Sequence, residues 1–464
     1  MRRLQLLAGC VALTAAVSVA VFAQTRATAG PVLYEGARLV LGTDAAPIEN
    51  GAFVVQNGRI AAIGPRASVR APSGATRVDL TGKTVMPAIV NIHAHVGYEK
   101  WITAAGESRA ENHTPENIHD HLQRQAFYGV GTVNDAGSVN LDIGKEYLVA
   151  RDAGKFSSDA SRFTLMGGVV PVNGGPDHIL IKATRPLRAN YEVTLSGEAR
   201  AAVQAIAAKG VKHLKIWLGD RRGTYPAMPH ETYDAVIDEA KKAGILVHAH
   251  ATSNRDQIDA LKAGVGLIVH TIQNEKLSPE LVALYKEKRP YYTTVFGLGD
   301  RSELCDPDPF AHQLHSARVI AEVRAADCKP NASTAAREAQ LKENFITAVR
   351  AGAQLVLGTD AGVFPRYSFG WADHHELGRY VELGLTPNEA IIAATSRPAE
   401  AIGLKDVGKL SSGYVADFLV LDANPVENIR ATRQISAVYL GGAKLDREAM
   451  LAKWKQSNAS DTVR

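Results

Sequence analysis

The chain has 464 residues, of which 46% are hydrophobic and 22% are charged. This composition excludes a disordered chain and provides for a large hydrophobic core. The formal net charge of +4 is small for the length, so it gives no electrostatic reason to expect nucleic acid or an anionic membrane as a partner.

Residues 1–23 have the three parts of a secretory signal peptide. Arg2 and Arg3 precede an apolar run, which ends in a small-residue cleavage site after Ala23. An uncleaved membrane anchor, a lipoprotein signal at Leu7–Cys10 and a twin-arginine signal remain as alternatives. We therefore expect a mature protein without a membrane anchor, located in the periplasm or secreted.

Two cysteines, Cys305 and Cys328, remain once the signal peptide is removed. In an oxidising compartment they can form one disulfide, and two free thiols are the alternative. Both lie in residues 297–335, a stretch with little periodicity. We expect this stretch to form a lid over the functional site, with a disordered insertion as the alternative.

The middle of the chain, residues 86–404, alternates between short apolar strands and segments with a helical period. The clearest helical patterns cover residues 109–130 and 198–211. Residues 24–85 and 405–464, by contrast, have the pattern of short strands and turns. The eight predicted strands of the middle part are Ile89–His95, Gly131–Ala136, Arg162–Val170, Val211–Leu218, Ile245–His250, Gly266–His270, Tyr291–Val295 and Gln354–Thr359. Eight strands separated by helices predict an α/β fold of the (β/α)8 TIM-barrel type.

Histidines and an aspartate stand where several of these strands end, which is where such barrels carry their active sites. Residues two apart on a strand share a face, so both imidazoles of a His-x-His pair can reach one ion. Imidazole and carboxylate groups are the ligands of zinc and similar divalent metals. The residues at these positions are His93, His95, His248, His250, His270 and Asp360, together with Lys215 inside the fourth strand.

Several segments resemble the amidohydrolase superfamily, in its imidazolonepropionase-like and Xaa-Pro dipeptidase-like branch. They include "MPAIVNIHAH", "KIW", "VHAHAT", "LIVHT", "LGTDAG" and the tail "GYVADFLVLDANP". The resemblance covers essentially the mature chain. It implies that the strand-rich ends, residues 24–85 and 405–464, pair into a small β-sandwich beside the barrel.

The resemblance also implies a centre with two divalent metal ions, which we expect to be zinc. His93, His95 and Asp360 would hold one ion, and His248 and His270 would hold the other. Lys215 would react with carbon dioxide, and the resulting carboxylated lysine would bridge the two ions.

Such a centre predicts a hydrolase of carbon–nitrogen bonds. Two cations would lower the pKa of a shared water from about 15.7 toward 7, and the resulting hydroxide would attack the substrate carbonyl. Asp360 would be the general base and pass the proton to the leaving group. We expect a dipeptidase or an N-acyl amino acid hydrolase. A lactonase or ester hydrolase and a mononuclear cyclic-amide hydrolase or deaminase are the alternatives.

Substrate-binding residues are harder to predict from the sequence. His250 shares a face with His248, and we expect it either to support the metal ligands or to face the substrate, with a purely structural role as the alternative. Further candidates for binding a substrate carboxylate or amine are His178, Arg221, Arg222, Tyr225 and Arg366. The cluster His374-His375-Glu376 is expected at a helix start, with a position facing the barrel mouth as the alternative. The resemblance also allows for a homo-oligomer.

Overall fold

The computed structural model describes residues 30–97, 99–100, 107–298, 305, 309–315, 317–328, 334–363 and 369–460. The predicted signal peptide and the candidate Arg366 lie outside these residues. The strands are β1 (Val32–Leu39), β2 (Ile48–Gln56), β3 (Arg59–Pro65), β4 (Thr76–Asp79), β5 (Thr84–Pro87), β6 (Ile89–Ala94), β7 (Glu99–Lys100), β8 (Glu107–Ser108), β9 (Val130–Asp135), β10 (Arg162–Thr164), β11 (Met166–Pro171), β12 (Asn190–Val193), β13 (His213–Trp217), β14 (Leu246–His250), β15 (Leu267–Val269), β16 (Tyr291–Thr293), β17 (Gln354–Leu355), β18 (Phe418–Leu421), β19 (Ile435–Leu440) and β20 (Ala443–Lys444).

The helices lie mainly between the strands of the middle part. They are α1 (Pro115–Phe127), α2 (Leu141–Asp152), α3 (Pro176–Leu180), α4 (Ser196–Ala208), α5 (His230–Lys242), α6 (Asn254–Ala263), α7 (Pro279–Lys288), α8 (Pro309–His312), α9 (Ala317–Asp327), α10 (Thr334–Ala351), α11 (Trp371–Glu382), α12 (Pro387–Ala393), α13 (Ser396–Ala401) and α14 (Arg447–Ser460). Both of the clearest predicted helices are present, as α1 and α4. None of the helices within the described residues is long and apolar enough to cross a membrane.

The predicted barrel is confirmed. Parallel pairing runs from β6 through β9 to β10, and from β11 through β13, β14, β15 and β16 to β17. The third barrel strand is interrupted at Leu165, so that its first half, β10, pairs with β9 and its second half, β11, pairs with β13. The ring closes where the backbone N–H of Ile92 donates to Leu357 O at 3.0 Å and the N–H of Thr359 donates to His93 O at 2.9 Å.

The two ends of the chain form the expected second unit, a β domain. Its strands make one continuous eight-stranded sheet rather than two separate layers, with β5 hydrogen-bonded between β1 and β18. The rings of Tyr34 on β1 and Tyr439 on β19 lie 5.4 Å apart, although three strand spacings of about 4.8 Å separate those strands in the sheet. The sheet therefore curls around a core in which Tyr34 stacks on Phe53 and Phe418 on Tyr439.

The last helix, α14, packs on the barrel and is also tied to the β sheet, since the Arg447 guanidinium donates to the carbonyls of Phe127 at 2.8 Å and Ile435 at 2.9 Å. Trp454 meets the ring of Phe127 at 5.7 Å, and its indole N–H donates to Asp120 at 2.8 Å. The guanidinium of Arg124 stacks over the same indole at 5.0 Å. This contact ties the C-terminal end of the chain to α1.

The weakly periodic stretch 297–335 contains helices α8 and α9 and the beginning of α10. Cys305 and Cys328 form the expected disulfide across this stretch. The ring of Phe310 on α8 packs against Tyr128 and His374, each at 5.0 Å, and its carbonyl accepts a hydrogen bond from the Tyr128 hydroxyl. The sequence of α9, "ARVIAEVRAAD", is rich in alanine, so helix propensity favours it where periodicity gives a weak signal.

Candidate metal centre at the barrel mouth

His93 and His95 place both imidazoles on the same face of β6, as the alternation of a strand requires. Asp360 reaches them because its backbone N–H, together with that of Thr359, donates to His93 O at 2.9 Å. One carboxylate oxygen, Oδ1 of Asp360, lies 2.7 Å from His93 Nε2 and 3.3 Å from His95 Nε2. All three side chains are buried. Residues more than 260 positions apart along the sequence thus meet at one point.

Lys215 lies on β13 in register with His248 on β14. Its side chain is completely buried, and its Nζ is 3.0 Å from His93 Nε2. The approach depends on Gly137, because a Cβ at that position would lie 2.5 Å from the Cβ of Lys215. A primary amine thus points into the cluster of imidazoles and carboxylates.

His248 and His270 complete the predicted ligand set on the neighbouring strands. Neither ring nitrogen of His248 has a hydrogen-bond partner among the described residues. His270 Nδ1 is 3.9 Å from Asp360 Oδ2, and His270 Nε2 is 2.8 Å from His250 Nδ1. His250 therefore contacts His270, a predicted ligand, and a role toward the substrate stays a prediction.

Backbone strain occurs at two of these residues. His270 and Asp360 have φ values of +81° and +56°, in the left-handed region that residues other than glycine rarely adopt. His270 directly follows the last residue of β15, and Asp360 stands five residues beyond Leu355, where β17 ends. Such conformations cost about 1–3 kcal/mol each and persist only where the surrounding structure imposes them.

Asp177 is a site residue that the sequence analysis missed. It lies on α3, directly after the third barrel strand, and its Oδ2 is 3.8 Å from His95 Nε2 and 3.6 Å from Lys215 Nζ. The indole N–H of Trp217 donates to the same oxygen at 3.0 Å. The available signal was the turn "NGGPD": Gly175 has a φ of +78°, and this turn brings the start of α3 back over the barrel mouth.

The protonation states of these groups follow from their burial. Removal from water and the nearby Lys215 lower the pKa of His93 to about 4, and burial lowers the pKa of His248, His250 and His270 well below the ordinary histidine value. Burial also lowers the pKa of Lys215, against the opposing effect of Asp177.

For the Asp360 carboxyl, the neighbouring imidazoles outweigh the effect of burial on the pKa. Burial alone would raise the pKa of this carboxyl, but His93 and the other imidazoles hold it well below its ordinary range. Neutral imidazoles and an ionised carboxylate are the forms in which these groups bind metal.

The donor set fits a divalent cation. Bonds of about 2.0–2.2 Å in a tetrahedral site place ligand atoms about 3.4 Å apart. The separations of 3.3 Å and 3.8 Å from His95 Nε2 to Asp360 and Asp177 lie near that spacing, and the 2.7 Å between His93 Nε2 and Asp360 is shorter. The ligand atoms of His93, His95, Asp177 and Asp360 all lie within 4.8 Å of one another. Within the described part of the chain, neither oxygen of the buried Asp360 carboxylate accepts an aligned hydrogen bond, although Oδ1 lies 2.7 Å from His93 Nε2 and such a group ordinarily accepts one.

A second buried layer supports β6 from behind. Asn91 Nδ2 donates to Asp373 Oδ1 at 2.8 Å and to Thr359 Oγ1 at 2.9 Å, while Asn91 Oδ1 accepts the backbone N–H of His93. One asparagine thus links the His93 strand, the Asp360 strand and helix α11. Burial raises the pKa of Asp373 to about 8.

The weaker sequence-based candidates fall into two groups. Arg221, Arg222 and Tyr225 lie in the loop after β13, where both arginines are exposed and Tyr225 is half-buried. His178 lies outside the cluster, because its Nε2 is 3.1 Å from Glu192 and its Nδ1 is 3.0 Å from Thr184. Both of its ring nitrogens are therefore engaged within its own segment.

The polar cluster after the eighth strand is part of a helix start, as expected, and is buried. His374 Nε2 is 2.8 Å from the carbonyl of Tyr128, and its Nδ1 is 3.0 Å from Thr432 Oγ1. Glu376 accepts the backbone N–H of Gly297 at 2.8 Å. His374 and Glu376 thus attach α11 to its surroundings, and the metal-ligand group does not include them.

The chain is similar in sequence to a known protein family and to characterised proteins. The profile of the Amidohydrolase family matches residues 84–458. Ochratoxinase from Aspergillus niger is 23% identical over 480 residues, which cover 94% of this chain and 90% of that protein. An imidazolonepropionase from Deinococcus radiodurans is 27% identical over 418 residues, which cover 86% of this chain and 92% of the relative.

Solved structures of other proteins have the same fold as this chain. The crystal structure of a Xaa-Pro dipeptidase with bound methionine in the active site is similar to this chain with a TM-score of 0.70 and 23% sequence identity. The likeness covers 90% of this chain and all of that one. The barrel with its attached sheet is therefore an architecture already known from experiment.

Proposed function

Since this chain belongs to the amidohydrolase family and is a metal-dependent hydrolase of carbon–nitrogen bonds, we propose that it cleaves the amide bond of a dipeptide or an N-acyl amino acid. The observation that carries the proposal is the convergence of His93, His95, Lys215 and Asp360 at the barrel mouth. The names of two similar proteins, an ochratoxinase and a Xaa-Pro dipeptidase, support a substrate of this class.

We assign the ligands by position. His93, His95 and Asp360 would hold one divalent ion, which we expect to be zinc, and His248 and His270 would hold a second. Lys215, as its carbamate, would join the two sites, because it lies beside His248 and 3.0 Å from His93. Bound cations of this kind supply a Lewis acid for the carbonyl oxygen and ionise water near neutral pH.

Asp360 would move the proton. Its carboxylate is buried and ionised, so it can accept a proton from the attacking water and return it to the leaving amine. Its contacts with His93 and His95 fix its orientation without using a backbone donor at either oxygen. The strained backbone at this position keeps the carboxylate directed into the site.

Arg221 would bind the carboxylate of the substrate. Its positive charge acts on His250, whose pKa is lowered by burial first, then by Lys215 and then by Arg221. Arg221 is exposed in the loop after β13 and has no ion-pair partner within the described residues. An arginine fork is well suited to a free carboxylate.

Two measurements test the function. Purified protein loaded with Zn²⁺ is assayed against a panel of dipeptides, N-acyl amino acids, lactones and cyclic amides, and its metal content is counted. We expect turnover of the first two classes and about two ions per chain. Turnover confined to lactones, or about one ion per chain with Lys215→Ala fully active, would contradict the binuclear amidase.

The role of Arg221 has its own test. Arg221→Gln should raise KM at least about tenfold for N-acyl amino acids, which corresponds to about 1.4 kcal/mol, and should leave KM unchanged for the matching C-terminal amides. Arg255→Gln is the control, because Arg255 is an exposed arginine in the first turn of α6, which follows the next strand. Equal effects on acid and amide substrates would assign Arg221 no part in carboxylate binding.

Export is a separate proposal. We propose cleavage after Ala23, which N-terminal sequencing of the mature protein from the periplasm or medium tests. Recovery of intact residues 1–23 would contradict it.

A further inference from the structure

The cluster holds a second carboxylate, Asp177, that the family-based assignment does not use. Its Oδ2 lies 3.8 Å from His95 Nε2, the same ring nitrogen that Asp360 Oδ1 approaches at 3.3 Å. The two aspartates come from different barrel segments, the third and the eighth. Together with His93 and His95 they provide four donor atoms within 4.8 Å of one another.

The position of Asp177 is built into the fold. Gly175, with a φ of +78°, starts the short helix that carries it. The indole N–H of Trp217 donates to its Oδ2 at 3.0 Å, and both side chains are buried. Hydrogen bonds of this kind orient ligating carboxylates in metal sites.

A buried carboxylate at this place has two competing explanations. It can ligate a cation, or it can serve as the counter-charge of Lys215, whose Nζ is 3.6 Å away. The separation from His95 favours ligation, because 3.8 Å is near the ligand-to-ligand spacing of about 3.4 Å in a tetrahedral site. Counter-charge alone does not require a position facing His95.

We propose that Asp177 is a direct ligand of the first metal ion. The ion at this position would then have four protein donors, namely His93, His95, Asp177 and Asp360, so it would bind even when Lys215 carries no carboxylate. Carboxylation of Lys215 would then be required for the second ion only, although the carbamate would still join the two sites. This inference rests on the metal centre of the proposed function and is independent of its substrate.

Zinc affinity measured without substrate tests the inference. Metal-free wild type, Asp177→Asn, Lys215→Met and the double variant compete for Zn²⁺ against a chromophoric chelator, and circular dichroism checks their fold. We expect Lys215→Met to keep one tightly bound ion and Asp177→Asn to weaken that ion at least about 100-fold in both backgrounds. Glu192→Gln, which removes a neighbouring charge that pairs with Arg185, is the control and should bind as wild type does.

The outcomes separate the explanations. If Asp177→Asn costs affinity only when Lys215 is present, Asp177 is a counter-charge and the inference is wrong. Wild type that takes up no Zn²⁺ would remove the proposed function as well.

A spectroscopic variant covers the case in which Asp177→Asn fails to fold. Asp177→Cys loaded with Co²⁺ should gain a thiolate-to-cobalt charge-transfer band, because residue 177 touches the ion. His178→Cys, one position further on, is the control and should lack the band. A Co²⁺-loaded Asp177→Cys protein without this band would overturn the assignment.

Discussion

The buried carboxyl of Asp373 should make the stability of this protein depend on pH in a way that one substitution removes. Asp373 is completely buried, accepts a hydrogen bond from Asn91 at its Oδ1, and has no partner at Oδ2 among the described residues. Burial raises its pKa from 3.8 to about 8. The folded chain therefore keeps a proton that the unfolded chain loses near pH 4.

The sign and size follow from that difference in proton binding. The stability that the protonated carboxyl contributes is fully present below the unfolded pKa and is lost as the pH rises through about 8. At about 1.4 kcal/mol for each pKa unit, the loss between pH 6 and pH 9 is about 3 kcal/mol. Asp373→Asn has the shape of the neutral acid and cannot ionise. The free energy of unfolding of Asp373→Asn minus that of wild type should therefore be about 3 kcal/mol larger at pH 9 than at pH 6.

Thermal unfolding of the metal-loaded proteins measures this double difference, in which the pH dependence of metal binding cancels. A chain of 464 residues has an unfolding entropy of roughly 1 kcal/mol/K. The difference in Tm between variant and wild type should consequently grow by about 3 °C from pH 6 to pH 9. Parallel pH profiles for the two proteins would show that Asp373 is ionised in the fold, and the reasoning from burial would be wrong.

Four further outcomes can be measured on the same protein. A chelator should abolish turnover and added Zn²⁺ should restore it; activity that survives removal of metal would contradict the centre. Asp360→Asn should stay folded and lose about 10²–10⁴-fold in kcat, and a loss below tenfold would exclude it as the general base. Replacing Cys305 and Cys328 by serine frees a loop with a sequence separation of 23, which should cost up to about 3 kcal/mol. Reductant should lower the Tm of wild type and leave the Tm of that variant unchanged. A wild-type Tm that does not respond to reductant would count against a stabilising disulfide. Trp454→Ala should cost about 3–5 kcal/mol and leave kcat at 25 °C unchanged; an unchanged Tm would mean that α14 contributes little to stability.

Much of the fold is visible in the sequence because hydrophobic periodicity reports local structure. Each of the eight barrel strands was predicted in the right place, although most end earlier than expected. The predicted strand Gln354–Thr359 is an example, since regular pairing stops at Leu355 and the chain continues with single hydrogen bonds to β6. Periodicity records which side chains are buried, and it does not record where the last ladder hydrogen bond forms.

The missed ligand candidate shows where such reasoning stops. The sequence offers His178 as a candidate and gives no sign of Asp177, although the two residues are adjacent. On a helix, neighbouring side chains point about 100° apart, so only one of the two can face the mouth. Which one does so is decided by the turn at Gly175 and by the indole of Trp217, 40 residues away. Information of that kind is tertiary and has no local pattern.

Strain at the mouth links the barrel to the site. Val295, His270 and Asp360, which follow three successive strands, all have positive φ values, of +54°, +81° and +56°. A β-branched residue in this region is a clear outlier, so the strand ends as a group depart from favourable geometry. Each of these three backbone conformations costs about 1–3 kcal/mol, so an isolated segment would relax out of them. They persist here because the closed ring of strands holds both sides of every turn, as the hydrogen bonds from Thr359 and Asp360 to His93 O illustrate. The hydrogen bonds of the barrel therefore hold Asp360 and His270 in the conformations that direct their side chains into the site. The sequence around either residue would not impose these conformations by itself.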